Sequence, residues 1–343
     1  MTKLFTKIAT SRVQSFFLLL LVGTVLLLPG TRALPLMDRD EPKFAQATWE
    51  MMETQQFTIP YFNKSYRFDK PPLTYWWMRI HFALMGKTEF AARLHSVLAS
   101  ILTAFVIYLF GRFMFSPTAG LGSGLAWLTT LQIMIHSRLC VADMPMLLGV
   151  VISMYAIARL LFAENEPRKF GPYYWLLVFG LAFGFLAKGP IAWITPLFAL
   201  ILCRWPIGRQ PLRWKRLQPF TAILIALGIV AIWGIPALRL TQGAYYDEGI
   251  GKHVVERGVS AFNGRVNIPI IYYLITGFAS LLPWSAFFPS IVSFRRAELK
   301  ADQKRAFLTA WFIAPFLIFA CYATQLPHYI MPGFPGLVLL IFC

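Results

Sequence analysis

The stretch Phe16-Phe17-Leu18-Leu19-Leu20-Leu21-Val22-Gly23-Thr24-Val25-Leu26-Leu27-Leu28 decides the fold class. It is uncharged, apolar and preceded by Lys3, Lys7 and Arg12, as a first membrane span with a cytoplasmic N-terminus would be. A cleaved signal peptide has the same start but needs small residues after the apolar run. Pro29-Gly30-Thr31-Arg32-Ala33-Leu34-Pro35 follows instead, so the sequence predicts an uncleaved span over 14–34.

The rest of the chain repeats this pattern. Of 343 residues, 57% are apolar, 16% aromatic and 14% charged, whereas a soluble domain carries roughly 25% charged residues. The missing charge is concentrated in runs of about 17–25 residues, enough to cross a hydrocarbon layer roughly 30 Å thick. Further spans are expected at 90–111, 117–136, 143–163, 172–187, 189–204, 217–238, 268–293, 306–323 and 329–343, about ten in all. The pair 172–187 and 189–204 is separated only by Lys188-Gly189-Pro190, so one kinked segment competes with two.

Charge orients these spans. With the N-terminus inside, 17 basic and four acidic residues face the cytoplasm, a net +13. The other 15 basic and 11 acidic residues, a net +4, lie outside, mostly in the long loops 37–89 and 239–267. The overall +17 is therefore the positive-inside rule at work, and the sequence excludes nucleic acid as a partner. Cys140, Cys203, Cys321 and Cys343 have no ligand-like spacing and imply no disulfide framework. The chain stops inside an apolar run, Leu337–Cys343, which reads as a partial chain.

The chemistry concentrates on the outer face. Met37-Asp38-Arg39-Asp40-Glu41-Pro42-Lys43 leads into an amphipathic stretch that ends in Arg67-Phe68-Asp69-Lys70-Pro71-Pro72. Acids and a proline near a helix start account for Asp40 as a cap. A carboxylate held at a membrane face near a lysine also suits a general base beside a phosphate leaving group. Asp143, at the start of the fourth span, reads as an N-cap or as an acid facing a polar cavity. Lys188 reads as a snorkelling lysine or as a cation of that cavity. His253, Glu256, Arg257 and Arg265 suit a solvated loop, and His328 suits a satisfied polar site.

The order Asp-Glu, Lys-Pro-Pro, Asp-x-Pro, Lys-Gly-Pro and Leu-Pro-x-Tyr-x-x-Pro resembles the bacterial GT-C membrane glycosyltransferases. These are the relatives of protein O-mannosyltransferases and of the lipid A aminoarabinose transferase. The likeness runs from about residue 15 to the end. It implies an all-α polytopic GT-C bundle with amphipathic helices in a long first outer loop, spanning 1–343, without the C-terminal extracytoplasmic domain many relatives carry. It implies an inverting enzyme of the bacterial inner membrane, with its site on the extracytoplasmic side. A polyprenyl-phosphate-linked sugar would be the donor, and a lipid or protein the acceptor.

Carried across by position, the resemblance makes Asp40, Glu41 and Asp143 catalytic. It assigns Lys43, Lys70, Lys188, Arg257 and Tyr329 to the donor phosphate. Lys43 stands where an arginine is usual, keeping charge but losing the two-pronged grip on phosphate. Some relatives hold a divalent metal at positions that are Asp69 and His328 here. No nucleotide cofactor is implied. The competing class is a transporter or flippase of a lipid-linked sugar, in which intramembrane charge marks the substrate path. Such folds show internal repeats and broken mid-membrane helices, and neither is clear in this sequence.

Overall fold

A computed structural model describes residues 2–37, 40–165, 169–204, 213–249, 271–289 and 302–343. Among these the fold is helical, with one two-stranded hairpin. Two helices open it, α1 (Thr2–Thr10) and α2 (Arg12–Leu27), meeting at a 107° bend. The first span thus ends at Leu27, and the chain turns through Gly30 at φ +84°. The outer loop follows as α3 (Asp40–Glu53), a hairpin of β1 (Tyr61–Phe62) and β2 (Ser65–Tyr66), and α4 (Leu73–Met85). At the hairpin tip Asn63 and Lys64 both adopt positive φ, as a two-residue turn matched to strand twist requires. The Glu50 carboxylate accepts from both of their amides, at 3.1 and 3.2 Å, and so ties the hairpin to α3.

The bundle proper consists of α5 (Glu89–Met114), α6 (Pro117–Thr129), α7 (Leu131–His136), α8 (Asp143–Phe162), α9 (Pro172–Lys188), α10 (Ile191–Leu202) and α11 (Pro219–Leu240). It continues with α12 (Ile271–Ser280), α13 (Gln303–Ala320), the 3₁₀ segment Pro327–Gly333 and α14 (Phe334–Ile341). Glu89–Met114, Asp143–Phe162 and Trp214–Leu240 are long and apolar enough to cross a membrane, and the bent α1–α2 pair adds a fourth if counted as one span. Pro172–Lys188, Ile191–Leu202, Ile271–Ser280 and Pro327–Ile341 are shorter apolar helices. Where α8 meets α9 the backbones nearly touch: a Cβ on Gly149 would lie 2.6 Å from the Gly184 amide nitrogen. Small residues permit the close packing that holds helices together in lipid.

Of the two readings of 172–204, the structure has the two helices, Pro172–Lys188 and Ile191–Leu202, and not one kinked segment. Gly189, at φ +81°, ends α9, and the Trp193 indole donates to Leu181 O at 2.8 Å. Along a continuous helix those residues would stand about 18 Å apart, so α10 folds back on α9. The expected continuous spans 117–136 and 268–293 are both broken, at Thr130 and after Ser280. The breaks satisfy each other: Leu131 N donates to Leu282 O at 2.9 Å, and Trp284 Nε1 to Thr129 Oγ1 at 3.0 Å. Helix breaks are tolerated at membrane depth when neighbouring segments take up the freed backbone groups.

Candidate active site

The outer loop is locked to the bundle by one buried ion pair. α3 starts at Asp40, whose side chain is exposed, while Glu41 beside it is fully buried. Glu41 Oε1 accepts from Arg93 Nε at 2.9 Å and Cys140 N at 2.7 Å. Its Oε2 accepts from Arg93 NH2 and Met37 N, both at 2.8 Å. Arg93 uses its remaining donors on Thr31 O, Leu34 O and Pro35 O, at 2.7–2.9 Å. All five guanidinium hydrogens and four carboxylate acceptor positions are thus engaged. The lock fastens the segment before Asp40 and the segment before Asp143 to α5.

The second construction is a cavity of about 200 Å³ whose lining comes from five separate parts of the chain. Phe68, Asp69, Lys70 and Pro71 contribute from the first outer loop, Asp143 and Met146 from α8, and Lys188–Ile191 from the α9–α10 turn. Trp233 and its neighbours come from the outer end of α11, and His328 and Tyr329 from the last 3₁₀ segment. Two carboxylates here hold two lysines. Lys70 Nζ donates to Asp69 Oδ1 at 2.8 Å, and Lys188 Nζ to Asp143 Oδ1 at 2.6 Å. His328 Nε2 lies 3.9 Å from that same Asp143 oxygen, and its ring packs on His136, with centroids 4.9 Å apart. The rest of the lining is mainly apolar and aromatic, including Phe185, Val230, Trp233, Phe319 and Tyr322.

Arg67 braces the Asp69 side of this cavity. Its NH2 donates to Asp69 Oδ2 at 2.9 Å and its Nε to the Tyr75 hydroxyl at 3.0 Å, with Phe44 beneath the guanidinium at 5.3 Å. Burial alone would lower its pKa, but Tyr75 and Asp69 outweigh that, so the pKa sits above the ordinary arginine value. Asp40 also acts on this charge, which places its carboxylate within electrostatic reach of Arg67. Farther round, Trp233 Nε1 donates to Thr58 O at 2.7 Å and its ring meets Tyr245 edge-on at 5.2 Å, joining α11 to the outer loop.

The structure therefore gathers Asp69, Lys70, Asp143, Lys188, His328 and Tyr329 around one cavity. Asp40 and Lys43 are not in its lining, and Arg257, with most of the loop 239–267, lies outside the described residues. Glu41, expected to be catalytic, is buried with all four acceptor positions of its carboxylate engaged by Arg93 and two amides. Among the described residues, no three His, Cys, Asp or Glu side chains converge as a metal site would require. Both Asp69 oxygens are already held by cations, so the pair Asp69 and His328 does not fit a metal as it stands.

Reading the sequence missed Arg93, Arg67 and His136. Arg93 was detectable as a charge in the first turns of an apolar helix, a placement that is costly unless paired. Nothing in the sequence pairs His136 with His328.

Residues 69–235 match the family model for dolichyl-phosphate-mannose-protein mannosyltransferases. The undecaprenyl phosphate-alpha-4-amino-4-deoxy-L-arabinose arabinosyl transferase of Aeromonas hydrophila is 31% identical over 315 residues, 90% of this chain and 55% of that protein. The protein of the same name from Yersinia pestis is 28% identical over 320 residues, 92% of this chain and 56% of the relative. The chain thus spans about half the length of the curated relatives it matches. Among solved structures, ArnT from Cupriavidus metallidurans bound to undecaprenyl phosphate superposes with a TM-score of 0.81 at 21% identity, over 95% of this chain and 59% of that one. The archaeal oligosaccharyltransferase AglB from Archaeoglobus fulgidus, in complex with an inhibitory peptide and a dolichol-phosphate, gives 0.58 at 12% identity, over 96% and 50%. At these identities the likeness establishes the fold.

Proposed function

On its likeness to the GT-C membrane glycosyltransferases in sequence and fold, we propose that the chain moves a sugar from a polyprenyl-phosphate-linked donor to an envelope acceptor, inverting the anomeric configuration. The observation that carries this reading is the cavity itself, in which Lys70 and Lys188 stand on an apolar and aromatic wall. A lipid phosphate joins the same two characters, an anionic head and a hydrocarbon tail. The curated relatives' names specify an aminoarabinose carried on undecaprenyl phosphate, which supports that class of donor. A lipid A-like glycolipid and a protein hydroxyl both suit as acceptor. The site would face the extracytoplasmic side of the bacterial inner membrane.

In this scheme the acceptor oxygen attacks the anomeric carbon from the side opposite the phosphate. The new carbon–oxygen bond forms as the anomeric carbon–phosphate oxygen bond breaks, and the phosphate leaves with the electron pair. Asp40 takes the acceptor proton. Lys70 and Lys188 stabilise the charge growing on the phosphate, joined by Lys43, Arg257 and Tyr329, which are assigned by resemblance. Asp143 holds Lys188 in place until the phosphate arrives. Charge stabilisation of this kind counts for more in an apolar cavity than in water.

The test is Asp40→Asn in reconstituted protein given labelled polyprenyl-phosphate sugar. Transfer should fall by about 10²–10⁴-fold while donor binding and insertion are retained; near-normal turnover would sink the assignment. The same preparation separates the transporter reading, which predicts movement of label across the bilayer without exchange of the sugar bond.

A further inference from the structure

Far from the cavity, α1 and α2 form a rigid corner that neither the fold nor the proposed chemistry explains. Ser11 caps α2 by accepting from Gln14 N at 3.3 Å, and the Ser15 hydroxyl returns to Ile8 O at 3.0 Å across the bend. Two residues of α5 fix the end of α1: the Tyr108 hydroxyl donates to Ala9 O at 2.9 Å, and Arg112 to Ala9 O and Thr10 O at 3.1 and 2.7 Å. Ala9 is fully buried, so one side of α1 rests on protein. With α2 crossing the membrane, the 107° bend lays α1 close to the membrane plane.

The inside of the corner is a cleft of about 360 Å³ lined by Leu4, Lys7, Ile8, Gln14, Phe17 and Leu18. One cation and one amide face four apolar side chains, and the apolar wall continues outward. Val13, Phe17, Leu21 and Val25 recur every fourth residue on α2 and are 60–65% exposed, forming one stripe along the helix. Between Thr2 and Leu27 the sequence carries Lys3, Lys7 and Arg12 and no acid.

We propose that this corner is a binding site for one anionic phospholipid. Lys7 and Gln14 take the headgroup phosphate, and the acyl chains run along the Phe17–Leu21–Val25 stripe. The cleft suits the headgroup and first chain carbons, leaving the remaining chain on the open stripe. The surrounding positive charge selects an anionic head over a zwitterionic one. Because the hydrogen bonds at the corner fix its angle beforehand, binding requires little ordering of the protein.

The experiment uses the full chain in neutral-lipid nanodiscs and photoactivatable phosphatidylglycerol or phosphatidylcholine of identical chain length, with labelled peptides mapped. Phosphatidylglycerol should label the segment 2–27 at least about fivefold more than phosphatidylcholine. Unlabelled phosphatidylglycerol should compete, and inorganic phosphate should not. Lys7→Glu should reduce labelling to the phosphatidylcholine level, whereas Lys7→Arg should keep it. Lys7 is exposed, so both variants should retain the parent's thermal unfolding. Equal labelling by the two lipids, or a Lys7→Glu variant that labels as the parent does, overturns the proposal. Competition by inorganic phosphate overturns it as well, by making the corner a free-anion site.

Discussion

Two sets of ion pairs, built from the same residue types, do opposite things in this molecule. Glu41 and Arg93 are 0% and 3% exposed, and every polar hydrogen and acceptor position between them is engaged. Asp143 and Lys188 are 9% and 15% exposed, and both line the cavity. The first pair is closed and can only hold chain segments together. The second faces the cavity, where the proposed reaction has its lysine exchange a carboxylate for a phosphate. Asp40 and Glu41 show the contrast at its sharpest: adjacent acids at one helix start, one exposed and one sealed. Whether a charge is free to react depends on what saturates it, which neighbouring residues in sequence do not reveal.

The largest effect should come from breaking the closed pair. Arg93→Ala leaves the Glu41 carboxylate buried beside two amides and orphans three carbonyls, so stability should fall by about 3–5 kcal/mol. Denaturant unfolding in detergent measures this, and a loss below about 1 kcal/mol would mean the lock is not structural. The double change Glu41→Leu with Arg93→Leu sharpens the point. Replacing a buried ion pair by apolar residues is often neutral. Here it still strands Met37 N, Cys140 N, Thr31 O, Leu34 O and Pro35 O. The double variant should therefore remain at least about 2 kcal/mol less stable than the parent.

What the sequence made legible follows from the same physics. Long apolar stretches announce membrane helices because the hydrocarbon layer demands them, and α5, α8 and α11 lie close to their expected limits, whereas α2 ends at Leu27, seven residues before the expected end of the first span. The breaks at Thr130 and after Ser280 were hidden, since what makes each tolerable is a hydrogen bond from a segment about 150 residues away. Lys70, Asp143, Lys188, His328 and Tyr329 were recoverable as residues of one membrane face. Glu41 was read as Asp40's catalytic companion because its true partner, Arg93, is 52 residues away in the chain. The hub could be read only with α5 in place.

The open pairs should respond in the opposite sense, with function lost and stability kept. Lys188→Met removes a cation whose partner Asp143 still has His328 nearby, so stability should fall by only about 1–2 kcal/mol. Use of the lipid-phosphate donor should drop about 10–100-fold, the value of one charge-assisted hydrogen bond. Paired measurements of unfolding and transfer on Lys188→Met and Arg93→Ala test the comparison directly. If Lys188→Met proves as destabilising as Arg93→Ala, the cavity pair is structural too and the distinction collapses.

The smallest expected effect probes the sealed outer layer by pH. His81, on α4, is buried with its Nδ1 unpartnered among the described residues. Burial pushes its pKa below the usual histidine value, only partly offset by the Ala91 backbone. A histidine that is harder to protonate when folded than when unfolded adds no penalty above about pH 6.5. As pH falls from there toward the lower folded value, the unfolded chain takes up the proton first, so stability declines. His81→Leu removes that linkage. Between pH 7 and 5.5 the variant should lose less stability than the parent, by up to about 1 kcal/mol, read from unfolding curves at the two pH values. Identical pH responses in parent and variant would mean that His81 is hydrated in solution, and the layer beneath the outer loop would then be less closed than its geometry indicates.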